Sequence, residues 1–138
     1  MIKKLAVIVT RGAYNNLLQV CELTRVAAMS GSRVSVLFRD EAASKMALDK
    51  ITGLTFSEGY KGRESRVRDT LRTQKRDDLQ ELFREIKQLG DVKFSVCRES
   101  VELFDLTVQQ LIPEIDEIQR LDSFWKEEVA EADKVLTF

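Results

Sequence analysis

Short β-branched apolar runs alternate with segments of helical period. This predicts an α/β fold, a single-domain three-layer sandwich on a five-stranded, mostly parallel sheet. Three observations carry that expectation. KLAVIV at Lys4–Val9 and RVSVLF at Arg33–Phe38 are continuous apolar runs, as strands buried on both faces require. Between them Leu17, Val20, Leu23 and Ala27 recur at helical spacing. The length of 138 residues, 43% hydrophobic and 33% charged, suits one ordinary globular domain over residues 1–138.

Taken in order, Lys4–Val9 is the first strand, and Thr10–Asn15 is a turn in which Gly12 is free to take backbone angles other residues avoid. A helix follows from Asn16 to Ser30 and stops at Gly31. Arg33–Phe38 is the second strand, and Asp40 reads as the cap of a helix over Glu41–Lys50. Ile51–Phe56 suggests a short extended piece, with Gly59 and Gly62 marking a loop. Leu79, Leu82, Phe83, Ile86 and Leu89 form the apolar stripe of a helix over Asp77–Leu89, and Val92–Val96 is the third strand. Helical segments are expected at Ser100–Asp105 and Val108–Leu111, closed by Pro113. A fourth strand at Glu114–Ile118, a helix from Asp122 to Ala132 and a fifth strand at Lys134–Phe138 complete the chain. The expected strand order is 2-1-3-4-5, the flavodoxin-like arrangement.

Composition excludes several functions. No apolar run approaches the roughly 20 residues that cross a bilayer. The apolar stretch after Lys3-Lys4 is too short for a signal-peptide core, so a cytoplasmic location is expected. Net charge is −1 but unevenly spread. Residues 61–76 hold seven basic and two acidic groups, and residues 77–138 hold seven basic and sixteen acidic. That asymmetry can steer partners, yet it falls short of a nucleic-acid-binding composition. The absence of histidine removes Ser/His/Asp and Cys/His pairs and histidine metal sites, and no metal or other cofactor is called for. No Walker-type phosphate loop is present. The two cysteines, Cys21 and Cys97, form no Cys-x-x-Cys pair.

Cys97 stands where the third strand gives way to a helix, and ligands of open parallel sheets bind beyond the carboxyl ends of strands. With the expected order, Thr10-Arg11-Gly12 and Val96-Cys97-Arg98 face one crevice. Arg11 and Arg98 would supply positive charge there, and a helix start at Ser100 would favour the thiolate by roughly 0.3–1 kcal/mol. Without histidine that is too little for a strongly activated hydrolytic nucleophile, and it suits holding and passing on a sulfur atom. This reading needs the thiol open to solvent. The alternative, a cysteine acting as a small buried hydrophobe, stays open here. Cys21, inside an amphipathic helix, reads as structural.

The opening strand and turn Lys4–Gly12, the passage Leu17–Phe38, the pattern Cys97-x-x-Ser100-x-Glu102-Leu103-Phe104 and the closing Glu127–Leu136 resemble the DsrE/DsrF-like family of small sulfur-relay proteins. The likeness is closest to the branch described as peroxiredoxin-like. It implies a sulfur carrier or sulfurtransferase that accepts sulfane sulfur on Cys97 as a persulfide. It also implies homo-oligomers and partners that are rhodanese-like or TusA-like sulfur carriers. Carried over by position, Cys97 is the acceptor, Gly12 belongs to the neighbouring loop and Ser100 to the helix start that supports the thiolate. Arg39-Asp40-Glu41 is charged where that branch commonly has an apolar loop, and the basic segment 61–76 finds no counterpart. Two other readings stand beside it. One is a non-catalytic binding or regulatory module using the strand-end crevice and the basic segment. The other is a peroxide-reducing thiol enzyme, which would need Cys21 to approach Cys97.

Overall fold

Five strands pair in parallel throughout, in the order β4-β3-β2-β1-β5, in a computed structural model that describes residues 1–138. They are β1 (Lys4–Val9), β2 (Arg33–Phe38), β3 (Val92–Cys97), β4 (Glu117–Gln119) and β5 (Lys134–Thr137). Six α-helices accompany them: α1 (Tyr14–Met29), α2 (Asp40–Lys45), α3 (Glu64–Thr73), α4 (Leu79–Leu89), α5 (Arg98–Leu103) and α6 (Leu121–Phe124). The last continues as a π-helical turn, Trp125–Val129. The α/β class and the single parallel five-stranded sheet are those the sequence predicts.

Within that class the strand order corrects the expectation. β2, not β1, is the neighbour of β3, with Val34↔Val92 through Phe38↔Val96 in register, and β5 lies along β1. Both β1 and β2 are continuous apolar runs, so the pattern alone cannot say which is central. The consequence is geometric. Right-handed crossovers from β1 to β2 to β3 to β4 all step the same way across the sheet and place their helices on one face. The return from β4 to β5 steps the other way, so α6 alone covers the opposite face. The reversal of strand order falls between β1 and β5, away from Cys97.

Side chains alternate between these faces. Leu5, Val7, Val9, Val34, Val36, Phe38, Val92, Phe94 and Val96 point to the thick side, against Leu17 and Val20 of α1 and Leu79, Phe83 and Ile86 of α4. There Phe38, Phe83 and Phe94 meet with centroids 4.8–5.9 Å apart. On the thin side only Ala6, Leu37 and Cys97 gather beneath Phe124. Ile8, Leu121, Val129 and Ala132 pack partly buried at its edge. Beyond them the face turns polar: Glu128 of the π turn accepts from Ser35 and pairs with Lys4 at 3.5 Å and Lys93 at 3.8 Å.

Several local expectations shift. α2 spans only Asp40–Lys45, and its cap position is Arg39. Asp40 instead takes a left-handed conformation, φ 53°, which aspartate tolerates better than most residues. Ile51–Phe56 forms no strand. The basic segment carries its own helix, α3, separate from α4, whose N-terminus is capped by the Asp78 side chain accepting from Glu81 N–H. The long acidic helix from Asp122 to Ala132 contracts to α6 and its π turn, with Asp122 inside it rather than capping it.

Candidate functional site

β3 ends at Cys97, and the strand alternation sends its side chain to the thin face. The thiol lies between two charged groups. Arg39 Nε–H, from the end of β2, donates to Cys97 Sγ at 3.4 Å, and the thiol donates to Glu99 Oε2 at 3.4 Å. The same carboxylate accepts from Leu121 N–H through Oε1 at 3.1 Å, so it ties the thiol to the first residue of α6. Burial pushes the Glu99 carboxyl up, but hydrogen bonds from Leu121 N–H, its own N–H and the thiol outweigh that and hold it below its ordinary value. Ser95, two residues back on the same face, and Gln119, opposite Cys97 in register, each carry a buried oxygen with no partner, Oγ and Oε1. Spare hydrogen-bonding capacity thus flanks the sulfur on two sides.

One requirement of the sequence argument is not met. Cys97 is 0% exposed, sealed by Phe124, Leu37 and Ala6, so the thiol is not open to solvent in this arrangement. The seal is thin, because the cluster has four buried members and its only helical cover is the single α-turn of α6 with its π extension.

The other residues expected at the site disperse. Arg11 is exposed and Gly12 packs against α2, and both line a separate crevice of about 710 Å³ that Cys97 does not reach. Gly12 is needed for close approach rather than for unusual backbone angles, since a Cβ there would lie 2.9 Å from Glu41 O. Arg98 points away into a groove of about 350 Å³ beside Leu111, Pro113 and Ile118. Ser100 Oγ accepts from Asp40 N–H at 2.8 Å and so ties α5 to the β2–α2 junction rather than touching the sulfur. α5 is six residues long, and Cys97 occupies the position before it without a capping bond.

Arg39 and Glu99, the two groups that do touch the thiol, went unassigned in the sequence. The available signals are the charged triplet at Arg39 and the i, i+2 spacing of Cys97 and Glu99. Cys21, in α1, lies on the thick face, with burial pushing its thiol well above the ordinary range. The sheet separates the two cysteines, which overturns the pairing a peroxide-reducing mechanism would need.

Four of the seven basic groups in residues 61–76 are engaged internally. Arg76 pairs with Glu22, Arg72 with Asp69 at 3.4 Å and Lys61 with Glu58 at 3.9 Å, while Arg68 donates to Leu54 O and covers the Phe56 ring at 5.7 Å. No helix is long and apolar enough to cross a membrane.

No curated protein matches the chain in sequence. In structure it is similar to a protein of unknown function, MTH1491, from Methanobacterium thermoautotrophicum, with a TM-score of 0.63 at 12% identity, covering 97% of this chain and 98% of that one. At that identity the likeness speaks for the fold alone. The profile of the DsrE/DsrF-like family matches residues 3–138, almost the whole length, and the chain belongs to the DsrE/DsrF-like family.

Proposed function

We propose that the protein is a sulfur carrier whose acceptor is Cys97, gated by α6. The observation that carries this reading is the placement of Sγ between the Arg39 guanidinium and the Glu99 carboxylate, in a family whose resemblance implies sulfur relay. The thiolate is the nucleophile in such chemistry. Glu99 Oε2 is in position to take the thiol proton, and Arg39 to compensate the charge left on sulfur, the work a histidine would otherwise do.

The step balances without an outside oxidant. The Cys97 thiolate attacks the outer sulfur of a donor persulfide, R–S–SH. A new S–S bond forms to Cys97, and the donor's S–S bond breaks with its electron pair leaving on R–S⁻, which takes up a proton. A partner thiolate then attacks the outer sulfur of Cys97–S–SH, and the Cys97 thiolate departs. The unpaired Gln119 Oε1 and Ser95 Oγ would accept hydrogen bonds from the added S–H and its surroundings.

Access requires α6 to move. Its hold is the buried Phe124 with Leu121, Val129 and Ala132 partly buried beside it, the hydrogen bond from Leu121 N–H to Glu99, those that Glu127 accepts from Gln119 at 2.9 Å and Lys4 at 3.1 Å, and the ion pairs of Glu128. Burying a Phe side chain contributes about 1.5–3 kcal/mol, an amount that docking of a protein partner can offset.

The test is intact mass after incubation with a low-molecular-weight persulfide, for the wild type, Cys97→Ser and Phe124→Ala. Addition of one sulfur atom is expected in the wild type and faster in Phe124→Ala, and none at this site in Cys97→Ser. A Cys97 that stays unmodified even in Phe124→Ala would overturn the proposal.

A further inference from the structure

The crevice that Arg11 and Gly12 enter contains a feature the sulfur chemistry does not use. Lys45 is 9% exposed, and its ammonium donates to Gly53 O at 2.5 Å. Lys50 Nζ reaches Ser44 Oγ at 3.3 Å. No carboxylate lies within 4.0 Å of the charged nitrogens of Lys45, Lys50 or Arg11, although all three line the same space. A buried cation answered only by a neutral carbonyl is under-compensated, and its partial withdrawal from water strengthens its attraction for an anion that reaches it. Burial also pulls the Lys45 ammonium below its ordinary pKa, which an anion beside it would reverse.

We propose that this crevice, at the carboxyl ends of β1 and β2, is a binding site for a small tetrahedral oxyanion of the phosphate or sulfate type, held by Lys45 and Lys50. Three aspects of the lining select that class. The three cations are offset by Glu41 and Asp49, which leaves one surplus positive charge and suits a small anion rather than a polyanion. Hydroxyls of Ser44, Thr52 and Thr55 offer further donors to an ion with several acceptor oxygens. The only aromatic lining group, Phe56, already stacks on Tyr60 at 5.5 Å and lies under Arg68, so it offers no free platform for a nucleobase. The cavity, about 710 Å³, is open and large enough for the ion with its water.

The experiment titrates the whole protein with inorganic phosphate and, separately, sulfate, following calorimetric heat and amide NMR shifts, with potassium chloride at matched ionic strength as the control. Saturable binding with Kd on the order of 1 mM or tighter is expected, with shifts centred on Gly12, Ser44 and Gly53. Lys45→Gln should weaken it roughly tenfold or more, as loss of a charge-assisted hydrogen bond does. Lys50→Gln, at an exposed position, should weaken it in the same direction and serves should Lys45→Gln fail to fold. Cys97→Ser should bind as the wild type does, because Cys97 does not line the crevice. No saturable heat, shifts reproduced by chloride, or undiminished binding in both lysine variants would overturn the proposal.

Discussion

At the scale of single residues, the proposed chemistry rests on Cys97 at the end of β3, Arg39 just past β2 and Glu99 in the first turn of α5. Cys97 Sγ has a proton acceptor on one side and a guanidinium on the other. The two neighbours are expected to act differently. Glu99→Gln keeps a carbonyl oxygen for Leu121 N–H but cannot take a proton, so single-turnover sulfur acceptance should slow by about 10²-fold or more, within the range of general-base contributions. Arg39→Met keeps much of the stem and removes the charge. It should slow the same step while leaving the urea midpoint nearly unchanged. Mass spectrometry at timed intervals measures both, and rates equal to wild type in both variants would remove these residues from the mechanism. Cys21 should resist alkylation in the native protein, since it is buried and its thiol is held in the protonated form.

At the scale of elements, α6 and its π turn are the piece whose stability bears on the proposed access to Cys97. Its anchor Glu128 is pushed up by burial, but the Ser35 hydroxyl, Lys4 and Lys93 outweigh that and leave its folded pKa below the ordinary value. A depressed carboxylate pKa contributes stability that is fully present above the unfolded value, near ~4.3 for glutamate, and is lost as pH falls through the folded value. Glu99 is depressed in the same direction and holds the same helix. Urea midpoints measured from pH 7 down to the acid limb should therefore fall less steeply in Glu128→Gln than in the wild type; parallel curves would refute this. A second element-level expectation concerns the β1–α1 turn. Gly12→Ala drives a Cβ to 2.9 Å from backbone that cannot easily yield. It should cost about 1–3 kcal/mol as overpacking does, read as a lower urea midpoint with unchanged slope.

At the scale of the whole molecule, the sheet is a partition. Cys21 and Cys97 lie on opposite faces, in separate packing clusters, with β-strands between them. Treatment with diamide under native conditions should give no intramolecular disulfide. A monomer lighter by two hydrogens, with Cys21 and Cys97 linked on peptide mapping, would contradict this topology. The lopsided cover has the same origin. Every crossover but the last steps in one direction, so handedness heaps five helices on the thick face and leaves one short helix over the thiol.

From the sequence alone, the α/β class, β1 and β2 to the residue, the long helices and the place of Cys97 at a strand exit could all be read. These depend on the chemistry of neighbours in the chain. An apolar run, a 3.6-residue period or a glycine stop acts over a few residues and leaves its mark there. The strand order, the face on which the thiol sits, its burial under Phe124 and its contacts with Arg39 and Glu99 were decided only by the tertiary structure. The Cys97–Arg39 contact spans 58 residues of chain, and no local pattern encodes which of two equally apolar strands takes the centre. Once β2 took it, the Arg11-Gly12 turn was carried to one crevice and the thiol to another place.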